Sequence, residues 1–381
     1  MYNASSAFSQ AIADGEHQIA LLIFDDAVFT NDDIDVSRGI TFNDYFNMSD
    51  DMAIGQALSN EISFSLFNDD GLLDDYEFGD FTATIGVQIE SAGVTMPGTV
   101  NLVSGSRTWS AYSSRPYLKM NGTAVATQPA RKVKNMLAYD GILYCYLEND
   151  TVVAYYDTSN PTVKSVTLIP YMKDRLKKWE NKGICYNKAT RMLNIWEGSN
   201  QRTYEFVPLG RFTAERPNVP AVNAIDMTCY DFMQKFEQDM PRPNEMNMTY
   251  PTTFRNLFIK MCNYANVNYR NTTFINSTAE IVSEPEDFKS VTMREVLQWL
   301  AEAAGSNAKF DRDGYLVMDW LHDTTVSLDE TGYKEFNPYW YETKTVTKLR
   351  NRSSDGSFEN VTGSGSETYL IQDNPLLKGV S

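Results

Sequence analysis

Within residues 203–240 the hydrophobic period changes abruptly, and that change limits what the segment can fold into. Across residues 225–229, Ile225, Met227 and Cys229 alternate with Asp226 and Thr228, the period-2 pattern of a strand with one buried face. At Phe232, Met233 and Phe236 the spacing becomes that of a short amphipathic helix. Asp231 stands at its N-cap, and Gln234 three residues on completes a capping box. Upstream, residues 206–214 read as a second strand, bent at Pro208 and Gly210. Proline has no N–H to give a ladder, so Pro208 belongs at an edge or a bulge.

Strands of the same kind lie near the N-terminus. Residues 5–12 suit a short helix stopped at Asp14-Gly15, residues 18–24 suit a strand, and residues 31–35 a turn or loop. Ile62, Phe64 and Leu66 alternate with Ser63 and Ser65, and Asn68-Asp69-Asp70-Gly71 ends that strand. Phe81, Ala83, Ile85, Val87 and Ile89 define one face of residues 81–89, with Thr82, Thr84, Gly86 and Gln88 on the other. Each set offers only a few half-buried strands, too few for a core of its own. Residues 1–90 and 201–240 are therefore expected to build one β-domain, with 91–200 inserted into it.

The insertion is rich in aromatic residues. Residues 142–156 predict a hairpin around Glu148-Asn149-Asp150, and Trp109, Tyr112, Tyr117, Tyr139, Trp179 and Trp196 lie around it. Packing a small β-core is the commoner role of such residues and the favoured reading. The functional alternative makes Trp109, Tyr112 and Tyr117 a contact surface for a glycan or a partner protein. Residues 173–191 hold seven Lys and Arg against Asp174 and Glu180. Such a run is usually a solvated helix face; it could also dock on an acidic neighbour, such as residues 1–80 of another subunit.

After the linker at 241–251 come two helix-then-strand units, expected to form an α/β domain over 241–325. Thr253 caps the first helix, whose buried face is Phe254, Leu257, Phe258, Met261 and Cys262. In the second, Thr292 and Glu295 form a capping box, Met293, Val296, Leu297, Leu300, Ala301 and Ala304 form the stripe, and Gly305 is the stop. Strands at 307–310 and 315–321 follow around Asp311-Arg312-Asp313-Gly314, and another is expected from 344 to 349. The predicted class is α+β and β-rich.

Charge is unevenly distributed. Of the net −17, residues 1–80 carry −16, from 17 acids and Arg38 alone among bases, so the rest of the chain is nearly neutral. Most of these acids belong to solvated turns, but their concentration gives a surface that repels phosphates and disfavours sequence-specific nucleic-acid binding. No apolar run reaches the ~20 residues of a membrane span, and no basic n-region marks a secretory signal. Cys145, Cys185, Cys229 and Cys262 are far apart without C-x-x-C and read as buried thiols. With two histidines, His17 and His322, no G-x-S-x-G, no H-E-x-x-H and no P-loop at Gly363–Glu367, the sequence supplies no catalytic, cofactor or metal motif. A glycosidase acid pair needs no local motif, and only that enzymatic reading stays open.

Four stretches carry a resemblance. VPLGRFTAERP (207–217) followed by AIDMTCYDFMQKF (224–236) resembles the tail-hub, or baseplate-hub, proteins of long-tailed bacteriophages and prophages. IGQALSNEISFSLFNDDGLLDDYEFGDF (54–81) resembles the first tube-like domain of that family. VTMREVLQWLAEAAGSNAKFDRDGYLVMDWL (291–321) resembles its second domain, and GSGSETYLIQDNPLL (363–377) the start of its second tube-like domain, here 326–381. Residues 90–200 lie outside the resemblance. It implies a tube-like antiparallel β-barrel or sandwich, a homotrimeric ring at the virion tail tip, assembled in the host cytoplasm, and no enzymatic activity or cofactor. The implied partners are the tail tube, distal tail proteins, and tip, fibre or spike proteins. It also implies a channel for DNA, for which Asp25, Asp26, Asp69, Asp70 and Asp80 are the candidate lining acids; the family's second tube-like domain is longer than residues 326–381, which match only its start.

Overall fold

The computed structural model describes residues 4–35, 37–44, 54–93, 99–112, 114–179, 182–197, 200–214, 224–319, 350–352 and 358–360. The chain divides into two compact units, Met1–Phe42 with Glu61–Cys229, and Asn43–Asn60 with Tyr230–Ser381.

The first unit is built on two long strands, Asp80–Gly93 and Asn200–Thr213, paired antiparallel from Asn200 opposite Gly93 to Thr213 opposite Asp80. The register slips once at Thr203/Tyr204 and once at Pro208/Gly210, so Pro208 sits at a bulge, where its missing N–H is tolerated. Strand Gln18–Phe24 pairs with the free edge of Asp80–Gly93, and Val28–Thr30 folds back on it. Across Asn200–Thr213 the sheet continues two ways. One branch runs through Ala224–Asp231 and Glu61–Phe67 to Thr41–Asn43. The other runs through Met192–Glu197, Lys182–Asn187 and Val133–Tyr139 to the hairpin Ile142–Leu147/Val152–Tyr156, ending at Val163–Lys164.

The expected boundaries at 91 and 200 thus fall inside paired strands. The intervening chain leaves one long strand and returns as its neighbour, so the ladder extends into it without a break. A separate four-stranded sheet, Thr99–Ser104, Arg107–Tyr112, Leu118–Met120 and Thr123–Ala124, covers one face of this extension. Their shared core holds Leu102, Trp109, Met136, Leu143, Cys145 and Trp196. Gly183 lies so close to the Asn101 carbonyl that a Cβ there would strike backbone. Among the described residues the large sheet does not close into a barrel.

A second core, with Leu22, Phe24, Phe29, Ile62, Leu66, Phe81, Phe212 and Met227, fills the other end of the unit. Phe24 stacks on Phe81 at 4.6 Å, and Phe64 meets the same ring edge-on at 5.8 Å. The alternation of residues 81–89 needs one correction. Thr84 and Gly86, on the face expected to be solvated, are buried. Gly86 has no side chain, which leaves room for the Phe206 ring, and the Thr84 hydroxyl donates to the Leu21 carbonyl at 2.9 Å.

In the second unit Asp231 accepts from Met233 N at 3.0 Å and caps Phe232–Phe236, a single turn of 3₁₀ helix rather than an α-helix. Thr253 caps helix Phe254–Tyr264 at Asn256 N, 3.2 Å away. Helix Met293–Ala303 has the expected capping box, with Glu295 N bonded to Thr292 Oγ1 at 3.2 Å and Thr292 N to Glu295 Oε2 at 2.7 Å. Gly305 ends it at φ +60°, a conformation that favours glycine. The hairpin Asn307–Phe310/Tyr315–Asp319 follows, and Asn268–Tyr269 adds a parallel strand. Met293, Val296, Leu297 and Leu300 pack with Phe258, Phe310 and Leu316 in one core. Residues 320–321, at the end of the expected second strand, and the strand expected at 344–349 lie outside the described residues. Of 326–381, the antiparallel pair Arg350–Arg352/Phe358–Asn360 is described.

Leu300 is fully buried, so Leu300→Ala should cost about 2–5 kcal/mol by urea denaturation; an unchanged midpoint would mean the stripe is not core. Asp231 is 1% exposed, and burial pushes its carboxyl up to about 6 despite donors from Asn60 N, Met233 N, Ser59 Oγ and the nearby Arg294. A raised carboxyl pKa means the folded state holds the proton more tightly than the unfolded chain. Asp231 should therefore favour folding progressively as pH falls from about 6 to about 4. Relative to Asp231→Asn, the natural protein should gain up to about 3 kcal/mol across that window. Paired urea titrations at pH 7 and pH 4 read the difference directly, and a difference moving the other way would contradict the assignment.

Candidate functional site

The face of the extended sheet opposite the Trp109 core is hydrophobic as well. Alternation makes this unavoidable: where Met136, Ala138, Leu143, Cys145 and Cys185 point one way, Leu137, Tyr139, Tyr144, Ile184 and Tyr186 point the other. Leu193, Ile195, Tyr204 and Phe206 continue that face, and Ile19, Leu21 and Ile23 approach it from strand Gln18–Phe24. Helix Pro170–Lys178 contributes Met172 and Leu176, and Trp179 follows it. Together they enclose an open cavity of about 740 Å³, within the size range of small-molecule sites.

One end of the cavity is aromatic and acidic. Tyr139 and Tyr186 stack at 6.2 Å, and Phe206 meets Tyr186 edge-on at 6.1 Å. Burial, then the charges of Asp140 and Asp25, pushes the Tyr139 phenol up to about 12. Burial and Tyr139 do the same to Tyr186, and burial followed by Asp140 raises Tyr144. Asp25, Asp26 and Asp140 are solvent-exposed at the mouth. At the other end Glu197 holds Arg202 at 2.8 Å and Lys182 at 3.4 Å.

The helix that walls the cavity is fixed by a buried ion pair. Asp33, 4% exposed, accepts from Thr30 N at 2.7 Å and from Thr30 Oγ1 at 3.1 Å, and its other oxygen takes Arg175 and the Tyr171 hydroxyl. Burial lowers the Arg175 guanidinium, the nearby Asp32 offsetting it in part; burial and the charges of Asp70, Asp174 and Asp32 raise Tyr171. The basic run of residues 173–191 therefore does meet the acidic segment, but within one chain and at one buried position. Lys177 and Lys178 stay at the surface, with Asp150 at 3.7 Å and Asp174 at 2.7 Å.

The acids singled out from sequence fall in three places. Asp25 and Asp26 lie in the turn at the cavity mouth, and Asp26 accepts from the Tyr76 hydroxyl at 2.6 Å. Asp69 and Asp70 are exposed in the turn after strand Glu61–Phe67. Asp80 is half-buried at the start of its strand, accepting from Thr213 at 2.7 Å.

Trp109 corrects the aromatic-surface reading. It is wholly buried, and its indole N–H donates to Asp157 at 3.0 Å. Burial pushes the Asp157 carboxyl up, but donors from Arg107, Ser104 and Trp109 outweigh it and the net shift is downward. Tyr112 and Tyr117 are half-buried, 5.8 Å apart, with the Arg115 guanidinium 4.8 Å from both rings. All four cysteines are buried free thiols. Among the described residues no cluster of His, Cys, Asp and Glu is arranged to hold a metal, and no helix is long and apolar enough to cross a membrane.

The cavity aromatics other than Tyr139 and Trp179, and the Asp33–Arg175 pair, were missed in the sequence. One signal existed for Arg175: Tyr171 and Arg175, like Met172 and Leu176, are four apart and share a helix face. No family model matches the chain, and no curated protein matches it.

The pair makes a testable demand. Asp33→Asn should destabilise the protein by about 3–5 kcal/mol, because a buried guanidinium is left without its counter-charge. Adding Arg175→Met should restore part of the loss in urea unfolding. Equal loss in the single and double variants would show that the two charges do not depend on each other.

Proposed function

We propose that the chain is a structural hub of a bacteriophage or phage-like tail tip, three copies forming a ring that joins the tail tube to distal proteins and leaves a passage for DNA. The observation that carries this reading is the neighbourhood of Glu61–Phe67 and Ala224–Asp231 in one sheet. These strands come from the two stretches, 54–81 and 224–236, whose resemblance to the tube-like domain of tail hubs is independent of their pairing. A tube domain assembled from discontinuous segments needs those segments side by side. The capped helix and hairpin of residues 292–319 supply the helix-plus-sheet element that the same resemblance calls for.

In this reading the tube-like domain takes the form of a β-barrel or sandwich completed in the ring, and part of the acidic charge of residues 1–80 faces the passage. Asp25, Asp26, Asp69 and Asp70 have the exposure such a role requires. Carboxylates along a channel repel phosphates, so DNA passes without the counterion-releasing contacts of a basic wall. A glycan-contact role for the insertion loses its central residue, since Trp109 is core.

Native mass measurement and electron microscopy of the purified protein at micromolar concentration should show a threefold ring with an open axis lined by Asp, Glu and neutral polar groups. A persistent monomer, or an axis lined by Lys and Arg, would overturn the reading.

A further inference from the structure

We infer that the cavity of about 740 Å³ in the first unit is a binding site for an amphiphilic organic cation, an extended apolar chain ending in an ammonium-type head group. This role does not depend on the proposed assembly role, although Asp25 takes part in both. The shape follows from strand register. Lys182 pairs with Glu197 at one end, and Tyr186 pairs with Leu193 at the other. Four residues of strand separate these levels, about 13 Å at 3.3 Å per residue. Between them the floor is aliphatic, with Leu21, Leu137, Ile184 and Ile195. A chain of about ten carbons fits that length and leaves its head group at the aromatic end.

The chemistry of that end selects the sign of the head group. Tyr139 and Tyr144 present π-faces and phenol oxygens, and Asp25 and Asp140 add two carboxylates. Neither Asp25 nor Asp140 has an ion-pair partner among the described residues, whereas the cations at the far end, Lys182 and Arg202, are both held by Glu197. A cation over aromatic faces and beside carboxylates is attracted by both. Lys164 also lines the cavity, but Asp25, Asp26 and Asp140 outnumber it, so an anionic head group would meet net negative charge there. Burial first, and then the charges of Asp140 and Asp25, raise the phenol of Tyr139, which itself lines the cavity.

The probe is decyltrimethylammonium below its micellar concentration, followed by isothermal titration calorimetry on the full chain. Decyl maltoside and decyl sulfate share its tail and change its head. Saturable one-to-one binding is expected, with decyltrimethylammonium at least about tenfold tighter than the maltoside and the sulfate weakest. The double variant Asp25→Asn/Asp140→Asn, both exposed positions that leave the core intact, should lose that preference and keep maltoside binding. Ile184→Glu should abolish binding of all three; its fold is checked by thermal unfolding, and Ile195→Gln serves in its place if it does not fold. No saturable binding, equal binding of the sulfate, or an unchanged preference in the double aspartate variant would overturn the proposal. So would tighter binding of the peptide acetyl-Leu-Ile-Leu-Lys-amide than of the alkylammonium, an outcome that assigns the cavity to a protein segment.

Discussion

The ladder between Asp80–Gly93 and Asn200–Thr213 is the constraint on which the first unit depends. It closes a loop of more than a hundred residues, and the entropy of that closure is offset only because both strands are long and lie under side chains on each face. Phe81 and Phe212 meet at 5.7 Å within one core, and Phe206 lies over Gly86 in another. Every other strand of the large sheet is reached through these two. The bulge at Pro208 is one of two places where the ladder changes register, and there it accepts a residue that cannot donate.

Buried charge then fixes parts that apolar packing leaves free to slide. Asp33 ties the turn after strand Val28–Thr30 to helix Pro170–Lys178, and Asp157 ties the end of one hairpin to the Trp109 sheet. Such pairs add little net stability over an apolar replacement, but they tolerate few arrangements, since a displaced partner leaves a charge without water or counter-charge. The helix held by Asp33 is the wall of the cavity, so the shape of the cavity rests on an ion pair outside it. Asp231 serves the second unit similarly, accepting from Asn60 N and Met233 N and so fixing the chain entry to the 3₁₀ turn.

Much of the fold is legible in particular residues. The alternation of Ile62, Phe64 and Leu66, the Thr292/Glu295 box and the Gly305 stop each name a local structure that the chain adopts, because each depends on neighbours within a few positions. The cavity is less so. Tyr139, Tyr186 and Phe206 are distant in sequence, on three strands brought together by pairing, and nothing local marks them as one surface. Residue type favours a core role for Trp109, but only its strand, seen against Met136 and Trp196, decides it.

By itself, the sequence determined strands such as 61–67 and 224–231, the helix caps, several turns and the concentration of negative charge in residues 1–80, all properties of short-range pattern and composition. Only the tertiary structure decided that residues 133–197 extend the same sheet, that Arg175 of a basic run finds Asp33 of the acidic segment, and that two apolar faces of one sheet yield a filled core on one side and an open cavity on the other. The reason is physical. A strand of consecutive apolar residues, such as 142–147, has two apolar faces, but what covers each face depends on contacts between segments far apart in the chain.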